Sequence, residues 1–239
     1  MTAAQILFHT EPDALQLARS LAETVAARLR ACLQTRGQAL LVVSGGSTPV
    51  PFFEALRQQV LDWPRVTVTL ADERCVAPED ARSNASLVRT HLLQDAAQAA
   101  RWLPLYQTGE APEAAAQRVE TALQSLPWPA AVTVLGMGSD GHTASLFPYA
   151  PELATACRAD APRCLAVSAP APPNVPVPRV TLTPRALLDA AWLAVHIGGA
   201  AKQALLLQAM APGEVAEWPI RVALHQHRLP CHVYSCPGA

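Results

Sequence analysis

Three short apolar runs, ALLVV at Ala39–Val43, VTVTLA at 66–71 and AVTVL at 131–135, each stop abruptly at a polar or glycine residue. Each is too brief for a helix and is bounded by turn residues, so each reads as a buried strand. Stretches with helical spacing lie between them. Residues 12–30 place Leu15, Ala18, Leu21, Ala22, Val25 and Leu29 on one stripe, with Glu11 and Asp13 acidic near its start. Further helices are expected at 49–60, 83–94, 112–126, 184–190 and 199–209, and further strands at 164–168, 179–182 and 192–197, with a closing strand at 232–235.

Strands that alternate with helices imply βαβ units, hence an α/β fold: a doubly wound, mainly parallel sheet with helices on both faces. There is no internal repeat. The proline-rich segment PAPPNVPVP at 170–178 reads as a rigid loop, so residues 1–239 are expected to form a single domain. The carboxyl ends of the strands in such a sheet form the ligand crevice, so the loops that begin at Ser44, Asp72 and Gly136 should converge there.

Those loops carry the candidate chemistry. In SGGSTP at 44–49, Gly45 and Gly46 permit close backbone approach, Ser47 or Thr48 can cap the next helix, and Pro49 suits its first turn. Free amides at a helix start make an anion cradle, although an ordinary turn is the competing reading. The loop matches neither a GxxxxGK[ST] nor a GxGxxG fingerprint. Asp72, Glu73 and Arg74 follow the second strand, where three charges are costly to bury and well placed to meet a ligand. In GMGSDGHTASLFP at 136–148, Gly136, Gly138 and Gly141 allow a sharply folded loop that presents Asp140 and His142. A histidine there can act as general base, with a carboxylate fixing its tautomer. Asp140 is too close in sequence for that role to be assumed, and Asp72 or Glu73 are alternatives across the crevice.

Composition narrows the partners. The net charge is −1, with both signs scattered along the chain, which argues against a nucleic-acid or membrane-surface partner. No apolar run approaches the roughly 18–20 residues of a membrane-spanning helix. The first residues, MTAAQILFHTEPD, lack the pattern of a secretory signal, so a cytoplasmic location is expected. The six cysteines show no CxxC pair and read as reduced thiols. His225, His227, Cys231, His232 and Cys236 crowd the C-terminus but fit no zinc spacing. Of the 18 basic residues all but Lys202 are arginine, which makes that lysine a residue to explain. Together with Arg179, which opens the strand RVTLT, it offers a cation for an anionic ligand.

In order and spacing, SGGSTP at 44–49, DERCVAPEDARSNASL at 72–87, GMGSDGHTASLFP at 136–148, PRVTLT at 178–183 and GGAAK at 198–202 resemble the 6-phosphogluconolactonase family. The resemblance implies a Rossmann-like fold, no metal, no organic cofactor and a small sugar-phosphate lactone as substrate, hydrolysed in the oxidative pentose phosphate pathway. It implies that Gly45, Gly46, Ser47 and Thr48, with Arg179 and Lys202, hold the phosphate. Arg74 and His142 would face the lactone, Asp140 or Glu73 would assist, and Asp72 and Gly138 would border the substrate. The oligomeric state is not legible.

The related glucosamine-6-phosphate deaminases share the DGH loop. They continue it with an apolar residue and Asn-Glu-Pro, and carry a DEY-type second loop, where this chain has TASLFP and Asp72-Glu73-Arg74. A non-catalytic sugar-phosphate sensor is a second rival, disfavoured by the intact DGHTASLFP loop. The chain also departs from the lactonase pattern. Ala85 stands where an aromatic residue is usual, which implies a more open pocket wall, and the closing strand ends in His232-Val233-Tyr234-Ser235-Cys236.

Overall fold

The computed structural model describes residues 5–172 and 174–237. In chain order the elements are β1 (Ile6–Thr10), α1 (Ala14–Arg36), β2 (Ala39–Val43), α2 (Val50–Arg57), β3 (Val66–Leu70), β4 (Asp72–Arg74), α3 (Asn84–His91), β5 (Arg101–Leu103) and α4 (Pro112–Leu123). They continue with β6 (Val132–Leu135), α5 (Leu153–Ala156), β7 (Cys164–Val167), β8 (Arg179–Leu182), α6 (Pro184–Leu187), β9 (Leu193–Gly198), α7 (Ala200–Ala209), α8 (Arg221–Leu224) and β10 (Cys231–Cys236).

Seven strands form one sheet in the order β1-β10-β9-β6-β2-β3-β5, and each neighbouring pair is parallel. From β2 the chain steps outward to β3 and β5, then returns to the other side of β2 with β6 and continues through β9 to β10. The winding direction therefore reverses between β2 and β6, where a doubly wound sheet opens its ligand crevice. Every residue of β2, β3 and β6 is buried, which is why these segments are continuous apolar runs rather than alternating ones.

The first helix is longer than its spacing suggested. Asp13 caps it, accepting from the Gln16 amide at 2.8 Å. Leu33 extends the buried stripe of Leu17, Leu21, Val25 and Leu29, and Gly37 ends the helix in the left-handed conformation at φ 76°. At the second helix the expected cap is absent. The helix begins at Val50 after Pro49, and no side chain from Ser47 or Thr48 caps it.

The expected mainly parallel sheet is present, and a second, smaller sheet that the sequence did not announce stands beside it. The strands at 164–168 and 179–182 leave the large sheet and, with β4, make a separate antiparallel sheet in the order β4-β8-β7. The loop between β7 and β8 is too short to carry the crossover that a parallel pair requires, so the chain turns back on itself. The segment at 66–71 also continues beyond its expected end. After Leu70 only Ala71 intervenes before β4, so one stretch of chain passes from the large sheet to the small one.

Glu73 needs a correction. Its carboxylate turns away from the crevice and plugs the start of α3, accepting from the amides of Asn84 at 2.8 Å and Ala85 at 2.6 Å, the Ser83 hydroxyl at 3.1 Å and its neighbour Arg74's amide at 2.6 Å. Ser83 in turn caps α3 by accepting from the Ser86 amide. Burial pushes the Glu73 carboxyl up, against the pull of the three amides, and the charge of Asp72 adds to the rise. Ala85, expected to open the pocket wall, is tied into the same network and is itself buried.

No helix among the described residues is long and apolar enough to cross a membrane. Cys32, Cys75, Cys157, Cys164 and Cys231 are free thiols. The C-terminal histidines go separate ways: His225 meets the Met210 carbonyl at 3.2 Å and His232 meets His9 at 2.9 Å.

Glu73→Ala should strand three buried donors and one half-buried one, and lower unfolding free energy by about 3 kcal/mol or more in a urea titration. A residue serving only the chemistry would leave that titration unchanged.

Candidate active site

The loops after β2, β3 and β6 meet at one cleft of about 300 Å³. Its walls include Ser44–Pro49, Asp72, Arg74, Gly136–Gly138, His142, Arg179 and Lys202. Of the site residues that the resemblance implied, the structure gathers all but two on this wall. Glu73 is buried behind it, and Asp140 reaches it only through His142.

The crevice is closed at its base by Ser44. Its amide donates to the Val134 carbonyl, and its hydroxyl accepts from the Gly136 amide at 3.1 Å. Gly45 follows because nothing larger fits: a Cβ there would lie 1.9 Å from Asn84 Oδ1. Gly46 adopts φ 91°, a left-handed conformation that favours glycine. The SGGSTP loop thus runs close under the cleft into the first turn of α2, with the geometry of an anion cradle.

Across the crevice, the loop after β6 folds back on itself. The Gly138 amide donates to the His142 carbonyl at 2.9 Å, and the Thr143 hydroxyl donates to the Gly136 carbonyl at 2.8 Å. These bonds carry the His142 ring over Gly138, where a Cβ would sit 2.1 Å from His142 Cε1 and 2.2 Å from Nδ1. Phe147 supports the ring from the side at a centroid distance of 4.8 Å.

The question of which carboxylate orients His142 has a geometric answer. Asp140 Oδ1 lies 2.5 Å from His142 Nδ1, and the same oxygen accepts from the His142 amide at 3.1 Å. Asp140 Oδ2 accepts from Asn174 Nδ2 at 2.8 Å. Burial works to raise the Asp140 carboxyl, but the hydrogen bond and charge of His142, then the Asn174 amide, outweigh it and hold it well below the usual range. An ionised carboxylate can only accept, so Nδ1 carries a proton whether or not the ring is charged, and in the neutral ring the Nε2 lone pair is left for the cleft. Asp72, the alternative partner, is occupied elsewhere: its Oδ2 accepts from the Ser145 hydroxyl at 2.6 Å.

The cations form two groups. Arg74 and Arg179 are cross-strand partners in β4 and β8, a like-charged pairing that costs stability unless an anion lies between or beside them. Arg74 donates Nη1 to the Arg82 carbonyl at 2.5 Å, which fixes its guanidinium. Arg179 donates Nε and Nη2 to the Val177 and Val175 carbonyls at 3.1 and 2.9 Å, and burial lowers its pKa. Neither has a carboxylate partner within ion-pair distance among the described residues. Lys202 stands apart, in the first turn of α7 beyond Gly199 at φ 89°; it too is partly buried, which lowers its pKa.

Sequence reasoning did not reach Asn84, Asn174 or His196, which also line the cleft. Asn174 had one legible signal, a lone amide in an otherwise apolar, proline-rich segment. Asn84 and His196 had none, because their parts depend on contacts with Gly45 and the cleft floor that only the fold creates.

The site sets a carboxylate-oriented histidine beside a glycine-rich loop and three cations. The chain belongs to the family described as glucosamine-6-phosphate isomerases/6-phosphogluconolactonase, whose model matches residues 12–231. Its relatives in that family include lactonases. It is 47% identical over 235 residues to the 6-phosphogluconolactonase of Pseudomonas putida, covering 98% of this chain and 94% of that one. It is 48% identical over 221 residues to that of Rhizobium meliloti, covering 92% and 94%. The crystal structure of a 6-phosphogluconolactonase from Shewanella baltica superposes with a TM-score of 0.92 at 38% identity, covering 97% of this chain and 98% of that one. A monomeric glucosamine-6-phosphate deaminase shares the fold at a TM-score of 0.76 and 17% identity.

Gly138→Ala should force the His142 ring off Asp140 and lower kcat at least about 100-fold, the scale of a lost general base, with the far-ultraviolet circular dichroism spectrum unchanged.

Proposed function

We infer that the cleft hydrolyses 6-phospho-D-glucono-1,5-lactone to 6-phosphogluconate, the lactone-opening step of the oxidative pentose phosphate pathway, with His142 as general base. The observation that carries the mechanism is the Asp140–His142 pair, which leaves Nε2 as a base at the cleft surface.

A lactone carbonyl is already electrophilic, so water can attack it without a covalent enzyme intermediate. His142 Nε2 takes a proton from the water as its oxygen bonds to C1. The carbonyl π electrons move onto oxygen, and the Arg74 guanidinium, held by the Arg82 carbonyl, stabilises that oxyanion. Collapse of the tetrahedral intermediate breaks the bond from C1 to the ring oxygen. The imidazolium returns its proton to that oxygen, giving the open-chain hydroxy acid, which ionises to 6-phosphogluconate.

The phosphate lies far from the reacting carbon, so its binding orients the sugar rather than activating it. The amides of Gly45, Gly46, Ser47 and Thr48, with Lys202 and the Nη1 group of Arg179, supply that grip. Asp72 and Gly138 border the sugar. The engagement of Asp72 by Ser145 favours this reading over an amino-sugar isomerase, which would need a free base beside C2.

With freshly generated lactone and the spontaneous rate subtracted, His142→Ala should lower kcat by about 100- to 10,000-fold with KM little changed. Lys202→Ala should raise KM about tenfold or more with kcat retained, since it removes a charge that holds the ground state and transition state alike. Near-normal turnover by the His142 variant would remove the general-base assignment. Glucosamine 6-phosphate should release no ammonia with the wild-type protein, and measurable ammonia would replace the lactonase reading with the deaminase one.

A further inference from the structure

The steps above leave one buried polar side chain of the cleft unused. His196 lies on β9, one position beyond Val195, the partner of Leu135 in β6, and so is level with Gly136 at the start of the catalytic loop. It is only 6% exposed, yet it lines the cleft. Phe52 of α2 meets its ring edge-on at 6.1 Å and 76°. Its Nδ1 is sealed from solvent and has no hydrogen-bond partner among the described residues. Burial, then the positive charge of Lys202, lowers its pKa to about 4, so at neutral pH the ring is uncharged and Lys202 is near enough to act on it.

A neutral imidazole has one N–H and one lone pair. A proton on the sealed Nδ1 would be a buried donor with nothing to receive it, which is the costlier arrangement. The proton therefore rests on Nε2, on the edge of the ring away from the sealed nitrogen, by which the residue borders the cleft. An apolar side chain of the same size would pack against Phe52 without leaving any polar atom unmatched. A polar ring held at this position is explained by a ligand that completes it.

We infer that His196 is a specificity residue of the phosphate end, donating Nε2–H to a phosphate oxygen beside Lys202. Two features place it there rather than at the lactone. Phe52, which it meets edge-on, lies in the helix that the SGGSTP loop leads into, and Lys202 is the nearby charge that acts on it. Being neutral, His196 adds direction rather than charge, so it discriminates a correctly seated tetrahedral oxyanion from other anions that Lys202 alone would attract. This rests on the phosphate-end assignment made for the proposed function.

The test is binding of inorganic phosphate and of 6-phosphogluconate by calorimetry, with lactone kinetics alongside, for wild type, His196→Phe and His196→Gln. Phenylalanine keeps the ring packing and removes the donor, whereas the glutamine amide can reach the place of Nε2. The phenylalanine variant should weaken both ligands about tenfold and raise KM by a similar factor, with kcat within about twofold, as expected for one lost hydrogen bond to a charged group. The glutamine variant should recover most of that loss. Unchanged phosphate affinity in the phenylalanine variant, or equal losses in both variants, would overturn the inference while leaving the lactonase reading intact. If the wild type bound neither phosphate nor 6-phosphogluconate, the phosphate-end assignment itself would fall, and this inference with it.

Discussion

The junction of β2 with β6 is the constraint from which the site follows. These strands are sequence-distant neighbours in the large sheet, and the winding reverses between them. Two consecutive bonds secure the reversal: Ser44 donates its amide to β6, and its hydroxyl receives the Gly136 amide just beyond that strand. One residue after each bonded position, the chain leaves the sheet as a loop with no partner strand to follow. The SGGSTP loop and the loop that carries His142 are therefore neighbours because the sheet leaves them no other place to go.

Around that junction the protein tolerates arrangements that are unfavourable for stability alone. Arg74 faces Arg179 across two strands, Lys202 is half withdrawn from water, and Ala144 holds a positive φ of 49° in the catalytic loop. Strain and uncompensated charge of this kind persist where the surroundings over-determine them, and they gather at functional sites. The surroundings here are extensive. Glu73 satisfies the start of α3, Arg179 is pinned by two carbonyls of the β7–β8 loop, and Asn84 fills the space beside Gly45. The neutral, well-packed groups hold the charged ones at positions that solvent would not choose.

Much of this was legible from residues alone, and what was not has specific causes. The buried parallel strands announced themselves as apolar runs, because both faces of each are covered. The three loops at their ends could be paired because a doubly wound sheet has only one place for them to meet. The antiparallel sheet was not legible, since β4 has only three residues, and β1, an edge strand of the large sheet, escaped notice separately because it is half-exposed and without strong patterning. Glu73 was misjudged for a related reason. A charged triplet after a strand looks the same whether each carboxylate faces a ligand or a helix start, and only the alternation of β4 separates Asp72 and Arg74 from Glu73. Asp140 was underrated because two residues is ordinarily too short a separation for a side-chain pair. The left-handed Gly141 between Asp140 and His142 folds the loop tightly enough to bring the two side chains together.

The proline-rich loop between β7 and β8 has a wider meaning than its role as a connector. Through Asn174 it touches the carboxylate that orients the base, and through Val175 and Val177 it holds Arg179. His142 follows a strand of the large sheet and Arg179 belongs to the small one, so the loop is one of the ties between the two layers, beside the bonds of Ser145 to Asp72 and Thr181. Catalytic competence is then a property of how the layers are docked rather than of either layer. A change in that docking would displace His142 and Arg179 relative to each other while each sheet kept its own hydrogen bonds, so turnover would report on native packing that strand and helix content does not register.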